Sequence, residues 1–169
     1  MILQICNIVI LDKFHKIAHT TSKGGNHMDN PQYILNEINK GIKMGMDSIS
    51  NITDKVQDNE FKDLLLYEYD RYNSILNRVN SELKNYDDIP KEVPPMQKVM
   101  GYMDVEFSTL TDKSNSKIAE MMLKGTNMGI IEGIRLKNRN PEMAPSIKNI
   151  LDDFIAFQEN NVEDLKKYL

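Results

Sequence analysis

From residue 31 to the C-terminus, apolar side chains recur at three- and four-residue spacing almost without interruption. A chain patterned this way buries its hydrophobic surface as packed amphipathic α-helices and in no other regular structure. Ile34, Ile38, Ile42, Gly45, Ile49, Ile52 and Val56 form one stripe, predicting a first helix over about 31–57. Pro31 suits its first turn and Asn30 its N-cap. Phe61, Leu65, Glu68, Tyr72, Ile75, Val79 and Leu83 predict a second helix over about 59–85. Only Gln57-Asp58-Asn59 separates the two, so they should form an antiparallel hairpin.

Pro90, Pro94 and Pro95 mark the stretch from Tyr86 to Pro95 as a linker, because proline cannot occupy a helix interior. Met96, Met100, Met103, Phe107 and Leu110 then predict a short helix over about 95–111. The segment from Thr111 to Asn115 breaks it and caps the next helix, about 116–138, which Asn138-Arg139-Asn140-Pro141 ends. The last helix runs from about 143 to Leu169 along Ile147, Leu151, Phe154, Gln158, Asn161 and Leu165. The expected fold is therefore all-α: an antiparallel four-helix bundle of two hairpins, with an additional short helix in the crossover.

All three histidines, His15, His19 and His27, precede Met28, as does the single cysteine, Cys6. Lys23-Gly24-Gly25-Asn26-His27-Met28 is what AAA-GGA-GGT-AAT-CAT-ATG would encode, a ribosome-binding site spaced from a start codon. Residues 1–27 are accordingly expected to be a translated leader or a weakly ordered extension, and 28–169 a single domain. Met1–Leu11 lacks the basic flank and small-residue cleavage site of a signal peptide. From Met28 onward, 18 basic residues oppose 24 acidic ones, a net charge of −6. That balance disfavours nucleic acid and anionic membrane as partners. With no cysteine after Cys6, thiol nucleophiles and thiolate metal sites are excluded from the body. No apolar run approaches the roughly 20 residues a membrane span needs, and a cytoplasmic location is expected.

The helix at 116–138 differs from the others. Lys117, Lys124 and Arg135 occupy one narrow stripe, while Met121, Met122, Gly125, Gly129 and Leu136 face the other way. Leu123, Ile130 and Ile134 extend the apolar surface around a second side, so this helix should pack against two things at once. The second could be the 95–111 helix, a protein partner or a second copy of the chain in a homodimer. Gly125, Gly129 and Gly133 repeat at four-residue spacing, as Gly41 and Gly45 do on the first helix. Each costs roughly 1 kcal/mol relative to alanine in a helix interior. Close helix approach, or room for a large neighbour such as Tyr69, Tyr72 or Phe154, would compensate; a ligand slot or dimer contact is the other reading. Met96, Met100, Met103, Met121, Met122 and Met128 read as adaptable core filling rather than copper ligands.

Polar residues on core stripes are the remaining constellation. Glu68 is centred on the second helix with Arg71 three residues on, Gln158 on the last with Asn161 three residues on, and Glu132 is expected to face inward. Here the chain resembles the ferritin-like bundles, which hold two metal ions with Glu-x-x-His on two helices and a lone Glu on each of the others. Glu68-x-x-Arg71 and Gln158-x-x-Asn161 stand where the two pairs would be, and Glu132 where one lone Glu would be. The first helix offers only Ile38, Gly41, Ile42 and Gly45 inward, both histidines are missing, and one carboxylate has become an amide. Ile118-Ala119-Glu120-Met121-Met122, with Gly125, Met128 and Gly129, also looks like ferritin-like proteins of spore-forming, low-GC bacteria that have no assigned activity. The resemblance implies a degenerate metal site, with no cofactor or metal and no catalytic residue. In its place stands a buried network in which Glu68 pairs with Arg71 and accepts from Gln158. On the rival reading Glu68 reaches solvent at a helix flank. Three functions fit: a structural or interaction protein, a bundle binding a small ligand or metal in stress or storage, and an enzyme. For the enzyme no nucleophile–base pair or full ligand set can be assembled.

Overall fold

The computed structural model describes residues 30–86 and 112–169, and every regular element among them is helical. Helix α1 spans Pro31–Thr53, α2 Asn59–Leu83, α3 Asn115–Arg139 and α4 Pro145–Leu165. Short 3₁₀ turns extend α2 over Lys84–Tyr86 and α4 over Lys166–Tyr168. The predicted 95–111 helix, the leader, and Met96, Met100 and Met103 lie outside the described residues.

Local chemistry sets the helix starts. Asn30 Oδ1 accepts from the Gln32 and Tyr33 amides at 3.0 and 3.3 Å, and Pro31 fills the position whose N–H would have no partner. Asp58 Oδ1 accepts from Phe61 N at 2.9 Å, and Ser114 Oγ from Lys117 N at 3.3 Å. Pro145 opens α4 without a side-chain cap. Helix α1 ends four residues before the position its apolar stripe predicts. Asp58 must take extended backbone to cap α2, so the chain leaves α1 through turns from Lys55 N to Ile52 O and Val56 N to Thr53 O. Val56 is buried from that turn, so apolar periodicity outlasts the helix.

Contacts along the helices give their relative directions. Gln32, Asn39 and Gly45 on α1 meet Tyr86, Asn80 and Tyr72 on or beyond α2, so the two run in opposite senses. Gly129, Gly133 and Lys137 on α3 meet Gln158, Ile155 and Asp152 on α4 in the same falling order. Phe61, Tyr72 and Arg78 on α2 meet Tyr168, Phe157 and Asp153. It follows that α2 and α3 point the same way, and that residues 86 and 112 lie at opposite ends of helices roughly 37 Å long.

Between the helices sits one core. All seven stripe positions of α2 are buried, as are Ile34, Ile38, Ile42, Ile49 and Ile52 of α1 and the six predicted positions of α4. Phe61, wholly buried and stacked on Tyr168 at 4.2 Å, closes the end where α2 begins. Burial of a side chain of this size contributes roughly 2–3 kcal/mol. On α3 only Ile118, Ala119, Met121, Met122, Thr126 and Gly133 are buried, the least apolar contribution of the four helices. No helix among the described residues is long and apolar enough to cross a membrane.

Candidate functional site: a polar layer in the bundle core

Glu68 occupies a heptad-like position of α2, between Leu65 and Tyr72, and is 1% exposed. The reading that placed it at a solvent-reaching flank does not hold. Burial pushes its carboxyl up to about 8, with the Asp164 charge adding to the effect. At neutral pH Glu68 is therefore largely a carboxylic acid. From α4, Gln158 and Asn161 enter the same region at 3% and 2% exposure. The α2–α4 register set by Phe61–Tyr168 and Tyr72–Phe157 puts Asn161 opposite Glu68. Burial pushes the Tyr72 phenol up, and the Asn161 amide is close enough to its hydroxyl to oppose that rise, although Nδ2 makes no hydrogen bond of ordinary geometry there. Glu68 Oε1 and Gln158 Nε2 likewise have no hydrogen-bond partner.

Two expected members of this network lie elsewhere. Arg71 is exposed, its guanidinium 5.8 Å from the centroid of the Phe157 ring. Three residues after Glu68 the helix has turned about 60° off the buried line, and the long side chain crosses an aromatic face instead of entering the core. Glu132 does not face inward: it is exposed on α3 and pairs with Arg135 at 2.5 Å. Glu68 thus has neither the arginine nor the second carboxylate expected for it. Sequence reading had placed Tyr72 among apolar positions and overlooked its hydroxyl; the signal was its i+4 spacing from Glu68 on one face. Asn39, buried beside Ile38 and donating to Asn80 Oδ1 at 3.3 Å, was also missed.

The glycines shape the layer from the other helices. A Cβ at Gly45 would stand 2.6 Å from Tyr72 Cζ, and one at Gly41 3.1 Å from Phe154 Cζ. A Cβ at Gly129 would collide with Gln158 Oε1, and one at Gly133 would stand 2.8 Å from Ile155 Cγ1. These four glycines therefore admit large neighbours inside the bundle, as the spacing suggested for Tyr72 and Phe154. Gly125 is half-buried on the same helix. Of the proposed interface residues, Leu123 and Ile130 are half-buried and pack against the core, whereas Ile134 is 41% exposed. Ile131, which sequence reading passed over, is beside it at 48%.

The donor set does not fit a two-metal centre. One carboxyl, two primary amides and a phenol lack the carboxylates and imidazoles such a centre requires. Among the described residues no three His, Cys, Asp or Glu side chains come together in a way that could hold a metal ion. After aerobic loading with iron or manganese and desalting, elemental analysis is expected to find well under one metal per chain. About two per chain would refute that expectation. Comparison with protein-family models, with curated proteins and with solved structures finds no match.

Proposed function

We propose that this chain is an antiparallel four-helix bundle of ferritin-like connectivity, from a bacterial lineage in which the metal centre has become a polar core layer. It serves in the cytoplasm as a non-catalytic structural or interaction protein. The observation that carries this reading is the make-up of that layer: a single buried carboxyl faced by Gln158 and Asn161, where metal-dependent relatives would carry Glu and His. The parallel course of α2 and α3, joined through a connection between opposite ends of the bundle, is the connectivity the ferritin-like reading requires.

Docking is assigned to the outer side of α3, where Ile131 and Ile134 are exposed. A second copy of the chain is the partner that purified protein tests directly. Light scattering is expected to give a dimer that Ile134→Glu converts to monomer with little change in melting temperature. Gly129→Leu should instead lower stability by roughly 1–3 kcal/mol through overpacking against Gln158 and leave the mass unchanged. A monomeric wild-type protein carrying stoichiometric metal or a co-purified ligand would overturn the proposal.

A further inference from the structure

Three polar atoms on side chains more than nine-tenths buried have no hydrogen-bond partner, on residues that the α2–α4 register puts within about one helical turn of one another along the bundle: Glu68 Oε1, Gln158 Nε2 and Asn161 Nδ2. Native cores rarely tolerate this, because each such atom costs on the order of 1–3 kcal/mol. They are also neighbours. Asn161 is opposite Glu68, Gln158 is one turn from Asn161 on the same face of α4, and the Asn161 amide lies against Tyr72, one turn from Glu68. Gly129 lets the whole Gln158 amide lie against α3: a Cβ there would collide with Oε1 and stand 3.3 Å from Nε2.

The unmet needs identify what would satisfy them. Two N–H groups require an acceptor, and the un-ionised Glu68 carboxyl, whose proton either oxygen can carry, requires a donor at one oxygen and an acceptor at the other. Metal ions and ammonium accept no hydrogen bond, and a fully ionised inorganic anion donates none. Water does both, and typical buried waters make about three bonds. We propose that Glu68, Gln158 and Asn161 form an internal hydration site holding a long-lived water that bridges α2 and α4. The proposal rests on reading this layer as a polar core rather than a metal centre. Were both amides inverted, three oxygens would converge instead and a cation would be the fitting guest, so the test must separate the two.

Water-selective NOE and ROE spectra of ¹⁵N-labelled full-length protein at pH 6 make that separation. Cross-peaks with the sign of a bound water are expected from the Gln158 and Asn161 side-chain amides. They should persist in Tyr72→Phe and in Glu68→Gln, which remove the hydroxyl protons that could relay exchange. Absence of these peaks from the folded wild-type protein would refute the proposal, as would their loss in both variants. Selective broadening of the same amides by equimolar Mn²⁺ would assign the site to a cation and also overturn it. The oligomeric state and the α3 variants test the docking reading separately, so either can fail alone.

Discussion

Glu68→Gln is expected to flatten the dependence of stability on pH and to raise stability most in alkaline solution. In the folded protein the Glu68 carboxyl titrates at about 8, against an ordinary value of 4.5. Between those values the fold holds a proton that the unfolded chain releases, so stability must fall as pH rises. The loss begins near pH 4.5 and is complete somewhat above pH 8. A shift of this size corresponds to roughly 4–5 kcal/mol, a large part of the 5–15 kcal/mol that holds a typical domain together. Besides burial, the charge acting on Glu68 is that of Asp164 on α4, which remains in the variant. Carboxylates held low act at the other end of the scale. Glu120, lowered to about 2 by Lys117 and Lys124, contributes stability that is lost only as pH falls below 4.5. The wild-type protein should therefore be most stable near pH 5. Urea titrations of both proteins from pH 4 to 9 measure the difference directly. Parallel curves for wild type and Glu68→Gln would show that the buried carboxyl does not carry this linkage.

Gly45→Leu is expected to destabilise the bundle by about 3 kcal/mol, at the upper end of the overpacking range. The Cβ alone would stand 2.6–2.9 Å from three atoms of Tyr72. Tyr72 cannot retreat, since Phe157 meets its ring edge-on at 4.8 Å and Phe154 lies at 6.3 Å. Gly41→Ala is the internal control. Its Cβ would meet only the tip of Phe154 at 3.1 Å, and the gain of roughly 1 kcal/mol in helix propensity offsets that crowding. Chemical denaturation should find Gly41→Ala within about 0.5 kcal/mol of wild type. Equal losses at the two positions would mean that α1 moves freely against α2 and that the aromatic wedge does not fix their distance.

Much of the helical frame was legible in the residues because its causes are local. Heptad-like spacing put Phe61, Leu65, Glu68, Tyr72, Ile75, Val79 and Leu83 on one line, and all seven are buried. Asn30 and Pro31 announced the start of α1, and the segment from Thr111 to Asn115, which holds the Ser114 cap, announced that of α3; the Asp58 cap of α2 stood in what read only as a turn. Helix ends were less legible, as the early stop of α1 shows, because an apolar residue such as Val56 can be buried from a turn as well as from a helix. The glycine spacings pointed to close neighbours without saying which residue would fill each gap.

On α1, α2 and α4 periodicity by itself determined which side is buried, and hence that Glu68, Gln158 and Asn161 share the interior. Tertiary structure alone decided what meets them there. Arg71 and Glu132 are each only a fraction of a turn from the buried line, and their long side chains could in principle have reached inward. The packing of α2 against α4 instead gave Arg71 the face of Phe157, and the exposure of that side of α3 gave Glu132 to Arg135. A charge at the margin of a helix goes where desolvation costs least, and that cost depends on neighbours distant in the chain. The ionisation of Glu68 has the same origin: the residue is an ordinary glutamate until folding buries it near the Asp164 charge.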